Sequence, residues 1–198
     1  MLYNKNMSKK RGFTIIEVVL VLAIAGLIFL MVFIALPALM RNQRNEQRRE
    51  SLNRIYALIP SYQKNNSGKL PFNATSGDFD VKFITHYVDD QCTGESEAEV
   101  PGASNGGWSF QSCGAEFTDP DGDPFIVGHL KAEDVTGDTF RQSELNHVIY
   151  FGQGMICRGE DAVSEDTMVD NSPNSYIVMM ILEGGSVYCV DNATLPSN

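Results

Sequence analysis

A length of 198 residues, 43% of them hydrophobic and 20% charged, leaves room for one compact domain and an appendage. The net charge of −10 is spread unevenly: residues 1–12 hold four cations and no acid, residues 41–50 hold four Arg against two Glu, and residues 51–198 hold seven Lys or Arg against 22 Asp or Glu, a net −15. A body that acidic stays soluble and repels nucleic acid and anionic lipid, so no general nucleic-acid binding is expected; only a local basic patch would escape the argument.

The chain opens with Lys5, Lys9, Lys10 and Arg11, followed by Phe13-Thr14-Ile15-Ile16 and then, after Glu17, 23 uncharged residues from 18 to 40. That run is long enough to cross a bilayer as a helix. The cations before it hold the N-terminus in the cytoplasm and send the remainder outward, which predicts a single span, N-in and C-out. A cleaved secretory signal fits poorly, because its apolar core is about 7–15 residues and ends in small residues. Here the run is longer and exits into Pro37-Ala38-Leu39-Met40-Arg41. A plain anchor leaves Glu17 unexplained: a carboxylate at the start of an apolar helix either reaches interfacial water or has a partner and a function.

The run Lys9-Lys10-Arg11-Gly12-Phe13-Thr14-Ile15-Ile16-Glu17 resembles the processing site of type IV prepilins and pseudopilins: a basic leader, Gly, Phe, and a Glu four residues beyond the Phe. The resemblance implies a leader at 1–12, cut between Gly12 and Phe13 by prepilin peptidase, a membrane aspartyl peptidase that also N-methylates Phe13. It implies that the helix at 13–40 is both transmembrane segment and filament core, and that the subunit meets an inner-membrane assembly platform and other copies of itself or other pilins. Physics supplies a matching role for Glu17. Cleavage creates a cationic amine at Phe13, and a neighbouring subunit's Glu17 neutralises it within an apolar bundle, drawing subunits together and setting their register. Gly26, thirteen residues after Phe13, matches the family, whereas Pro37 falls three residues later than the proline usual in type IV pilins. Between them the helix is expected to loosen. A start at Met7 instead of Met1 gives a six-residue leader that keeps three of the cations.

Residues 41–60 continue as an amphipathic helix, with Leu52, Ile55, Tyr56 and Ile59 at helical spacing, and Pro60 predicts an end or kink at Ile59. Arg41, Arg44, Arg48 and Arg49 read as a solvated or inter-subunit face, with an anionic-lipid or DNA contact as the alternative. Residues 61–198 form the expected globular domain. Its first part, 65–118, is an irregular connection with turns at Asn65-Asn66-Ser67-Gly68 and Ser104-Asn105-Gly106-Gly107 and one short strand over 81–88. Strands are predicted over 124–130, 147–151, 176–182 and 186–190, the last two joined by the hairpin signal Glu183-Gly184-Gly185. One long helix, a loop and a small antiparallel sheet resemble the α+β pilin fold, in which the sheet packs on the outer half of the helix.

Cys92, Cys113, Cys157 and Cys189 all fall in the acidic part, and an even number in an exported domain favours two disulfides; no Cys-x-x-Cys pair points to zinc or redox chemistry. Three pairings are open. In the resembling fold Cys157 and Cys189 lie beside the terminal strands, which pairs them and leaves Cys92 with Cys113. Asp119-Pro120-Asp121-Gly122-Asp123 places carboxylates at alternate positions, a pattern that reads as a plain turn or as a Ca2+ site made by Asp119, Asp121 and Asp123. It is not an EF-hand, because Leu130 holds the twelfth position. No other cofactor is expected. His86, His129 and His147 sit in separate contexts, and without a nucleophile elbow or phosphate loop an enzyme is not expected. Trp108 reads as a loop anchor or an adhesive contact. Sequons begin at Asn65, Asn73 and Asn192.

These observations predict a structural pilin, major or minor, of a type IV pilus-like filament serving adhesion, twitching motility or DNA uptake, membrane-bound before assembly and extracellular after it. A type II secretion pseudopilin shares the whole N-terminal signature. A membrane-anchored extracellular binding domain is the second alternative, and it leaves Glu17 without a purpose.

Overall fold

The computed structural model describes residues 12–73, 78–98, 100, 107–130, 146–157 and 174–192. The leader up to Arg11, the turn at Ser104-Asn105-Gly106 and the downstream members of the sequons at Asn73 and Asn192 lie outside these residues. Contacts divide the chain into two compact units, Met1–Asn42 and Gln43–Asn198. One helix, α1 (Ile15–Asn65), contributes to both.

In the first unit no residue between Gly12 and Asn42 is buried. Leu, Ile, Val, Phe and Met side chains surround the helix on all sides, with Phe13 89% and Phe33 72% exposed. A helix apolar all round needs a non-aqueous surrounding, and α1 is long and apolar enough to cross a membrane. It runs unbroken through Gly26 and Pro37, although Pro37 removes one backbone hydrogen bond from the ladder.

In the second unit the helix becomes amphipathic, and Arg48, Leu52, Ile55, Ile59 and Tyr62 are its buried residues. The intervals of four and three place them on one stripe. The end expected at Ile59 does not occur. Pro60 lies on the exposed face, and burial of Ile59 and Tyr62 on either side of it outweighs the hydrogen bond it forfeits. The helix stops instead at Asn66-Ser67-Gly68, where Ser67 and Gly68 take positive φ of 57° and 79° and the Gly68 N–H returns to the Gln63 carbonyl at 2.8 Å.

The strand expected over 81–88 is also replaced. Asp80 starts a helical turn, its Oδ1 accepting from the Lys82 N–H at 3.1 Å and its carbonyl from the Phe83 N–H at 2.8 Å. A π-helical turn, Ile84–Val88, follows. Phe83, Ile84 and Val88 then face the core together, a placement that strand geometry, with its alternating faces, does not give.

Among the described residues, six strands form one sheet in chain order: β1 (Thr93–Ala98), β2 (Gly107–Ser112), β3 (Ile126–Leu130), β4 (Val148–Gln153), β5 (Tyr176–Ile181) and β6 (Val187–Asp191). All neighbours are antiparallel except β3 and β4. The last four follow the sequence pattern, including the β5–β6 hairpin, where Gly184 and Gly185 supply positive φ. The first two occupy a stretch expected to be irregular. β1 is polar and exposed and pairs with β2 through Glu95 opposite Phe110 and Glu97 opposite Trp108. Charges along this edge oppose pairing with a further strand.

The sheet's helix-facing side brings Phe110, Val127, Ile149, Phe151, Val178 and Met180 against the α1 stripe and the Phe72, Phe79 and Phe83 rings. The opposite side is apolar too, with Tyr150, Ile177, Met179 and Ile181 in a second cluster under Val100. Gly128 makes room for Val100, since a Cβ there would stand 3.0 Å from it and 3.2 Å from Tyr150. A long helix packed on a six-stranded, mostly antiparallel sheet is a pilin-like α+β fold.

Candidate functional site

The first described residues, Gly12, Phe13 and Thr14, precede the helix in non-helical backbone and are exposed. Thr14 caps α1 in a reciprocal arrangement. Its Oγ1 accepts from the Glu17 N–H at 3.3 Å, while Glu17 Oε2 accepts from both the Thr14 N–H and the Thr14 hydroxyl at 2.9 Å. This capping box satisfies backbone donors that a helix start otherwise leaves open. It also aims the Glu17 carboxylate back toward Phe13, at the positive end of the helix dipole. The apolar context marked Glu17 in the sequence, but the cap was missed. Its signal was the spacing Thr14-Ile15-Ile16-Glu17 ahead of an apolar run.

A second polar centre lies within Gln43–Asn198. Arg48 is fully buried on the α1 stripe and meets three carboxylates: Nε and Nη2 donate to Asp119 at 2.7 Å each, Nη2 to Asp121 at 2.7 Å, and Nη1 to Glu183 at 2.6 Å. Arg44 forks onto the same Glu183 at 2.6 and 2.7 Å. Asn45 closes the group by accepting from the Glu183 N–H at 2.9 Å and donating to its carbonyl at 3.1 Å. Burial disfavours the Arg48 charge, but the hydrogen bonds from its guanidinium to Asp119 and Glu183 overcome that and raise its pKa further. The same geometry holds the Glu183 carboxyl down to about 2, Arg44 being the largest cause.

Of the arginines read as a solvated or inter-subunit face, Arg44 and Arg48 are instead turned onto their own domain, Arg48 buried and Arg44 half-buried. The signal for Arg48 was its place four residues before Leu52 on the apolar stripe. The segment 119–123 is a turn, closed by Asp119 N–H to the Asp123 carbonyl at 2.7 Å and Gly122 N–H to the Asp119 carbonyl at 2.8 Å, with Gly122 at φ 99°. Asp119 and Asp121 serve arginine rather than converging with Asp123, and among the described residues no three His, Cys, Asp or Glu are grouped to hold a metal ion.

Disulfides join Cys92 to Cys113 and Cys157 to Cys189. The first closes the open end of the β1–β2 hairpin, next to the Thr93–Ser112 pair. The second ties β6 to the residues after β4. His86 is exposed on the π-helical turn, His129 is buried on β3 beside Phe72, and His147 is half-buried before β4. Trp108 is in β2, half-buried against the core, rather than in a loop.

Residues 7–33 match the family model described as the prokaryotic N-terminal methylation motif. That prepilin-type motif is typical of type IV pilins and pseudopilins, and it coincides with Gly12, Phe13, the Thr14–Glu17 cap and the apolar start of α1. No curated protein matches this chain, and no solved structure does.

Proposed function

We infer that the chain is the precursor of a structural, non-enzymatic subunit of a type IV pilus-like filament. The observation that carries this reading is the Glu17 carboxylate, held by Thr14 at the head of a helix whose apolar surface from Phe13 to Met40 is exposed on every side. Prepilin peptidase cuts between Gly12 and Phe13, removing the leader 1–12, and methylates Phe13. The new amine lies one residue from the Thr14 N–H that Glu17 already accepts. In a bundle of such helices an uncompensated ion is costly, so Glu17 of one subunit and the Phe13 amine of another neutralise each other and fix the stagger.

The segment 13–40 serves as membrane span and filament core, inserted N-in and C-out before assembly, and passes through an inner-membrane assembly platform into an extracellular filament for adhesion, twitching motility or DNA uptake. The two disulfides favour a surface filament over a type II secretion pseudopilus.

N-terminal sequencing and mass analysis of the protein recovered from membranes tests the processing: a methylated Phe13 is expected, and an intact leader overturns the reading. Immunoelectron microscopy with an antibody to residues 60–198 separates the two filaments, since a pilus is labelled outside the cell and a pseudopilus is not.

A further inference from the structure

The geometry points to a fixed stop in α1: Arg44, Asn45 and Arg48, bracketed by Glu183 and Asp119, end any unwinding of the helix at the edge of the globular unit. This inference rests on the domain's own contacts and not on the filament reading.

Upstream of the bracket the helix has little to hold it. No residue from Gly12 to Gln43 is buried. Gly26 weakens the ladder through its backbone entropy, and Pro37 removes a donor and crowds the carbonyl four residues before it. Outside a stabilising apolar surrounding, or under tension along the axis, this is the part that opens first. An opening that starts at Pro37 propagates residue by residue toward the C-terminus until it meets side chains whose release costs more than another turn of helix.

The bracket is the first such place. Contacts divide the chain between Asn42 and Gln43, directly before it. Asn45 grips both backbone groups of Glu183, at 2.9 and 3.1 Å, as a neighbouring strand would. Arg44 holds the same residue's carboxylate by two prongs. One turn on, Arg48 is anchored at 0% exposure to the 119–123 turn as well as to Glu183. Unwinding through 44–48 would pull the guanidinium from a buried site and leave Asp119, 3% exposed, without its counter-charge. Two unrelated loops, the turn before β3 and the β5–β6 hairpin, therefore hold the same turn of the helix.

Hydrogen exchange read by mass spectrometry on the full-length chain in detergent micelles tests this. In the wild type, amides at 38–43 should exchange quickly and a step to slow exchange should fall within 44–48. In Arg44→Gln/Asn45→Ala, which leaves the buried Arg48–Asp119 pair intact, and separately in Glu183→Gln, exchange at 44–47 should rise at least about tenfold. The step should then move to Arg48, still held by Asp119, with 52–62 and β4–β6 unchanged. Unaltered exchange at 44–47 in both variants overturns the stop. So does a loss of protection that spreads through 52–62, because the bracket would then be part of the core's general stability and not a boundary.

Discussion

Arg48 and Asp119 meet in a two-pronged ion pair, Nε to Oδ1 and Nη2 to Oδ2 both at 2.7 Å, where neither side chain is more than 2% exposed. Seventy-one positions separate them in the chain. Taking two ions out of water is costly, and the pair is tolerable because Glu183 and Asp121 complete the guanidinium's hydrogen bonds.

Removing one partner should therefore be far worse than losing a surface charge. Arg48→Ala strands Asp119 in the interior and should lower the stability of the second unit by about 3–5 kcal/mol. Arg49→Ala, one residue on and resting over the Tyr188 ring at 5.0 Å, should cost no more than about 1 kcal/mol. Urea denaturation followed by Trp108 fluorescence compares the two, and equal midpoints would refute the special standing of Arg48.

Acid should act through Glu183. Its carboxyl is held down to about 2, chiefly by Arg44, against 4.5 when unperturbed. A carboxyl whose folded pKa is the lower one contributes stability that is complete above about pH 4.5 and is lost as pH falls toward 2. Thermal melts of wild type and Glu183→Gln should differ most near neutrality and converge toward pH 2. Parallel curves across that window would sink the assignment.

Cap and charge can be separated at Glu17. A glutamine still completes a capping box with Thr14 but carries no charge. Glu17→Gln should keep the protection of the residue-17 and Val18 amides, both bonded to Thr14, in micelles while losing filament assembly, whereas Thr14→Val should fray the helix start by about 1 kcal/mol and leave the carboxylate in place. Normal filament yield and stagger from Glu17→Gln would show that the charge has no role in assembly.

The disulfides should differ in what they protect. Cys92–Cys113 spans 21 positions and Cys157–Cys189 spans 32, so chain entropy gives each about 3–4 kcal/mol. Cys92→Ser/Cys113→Ser should release the β1–β2 hairpin first, since β1 is an exposed edge with no buried residue of its own from Thr93 to Glu97. Hydrogen exchange should speed up in 93–112 and stay slow in β5; equal loss in both strands would contradict the local role.

Local and periodic features were legible in advance. Leu52, Ile55 and Ile59 announced the core stripe, and Glu183-Gly184-Gly185 announced the final hairpin, because each depends only on residues within one turn or one strand. Pro60 misled because its backbone cost is also local, whereas the gain that overrides it comes from Ile59 and Tyr62 packing on the sheet. β1 was hidden because Gly94, Glu95, Ser96 and Glu97 carry little strand preference. Pairing with β2 beside a cross-link makes it a strand. The Thr14–Glu17 cap is legible in the Thr-x-x-Glu spacing ahead of an apolar run.

By itself the sequence determined the apolar length of α1, the position of Glu17 four residues beyond Phe13 and the locations of the last four strands, all properties of neighbours in the chain. Only the tertiary structure decided which arginine is buried, which carboxylates of the 119–123 turn it takes and where the helix is held. Those outcomes rest on contacts between residues 71 to 139 positions apart. Their free energy exists only once the sheet has brought the turn before β3 and the β5–β6 hairpin against the same face of α1.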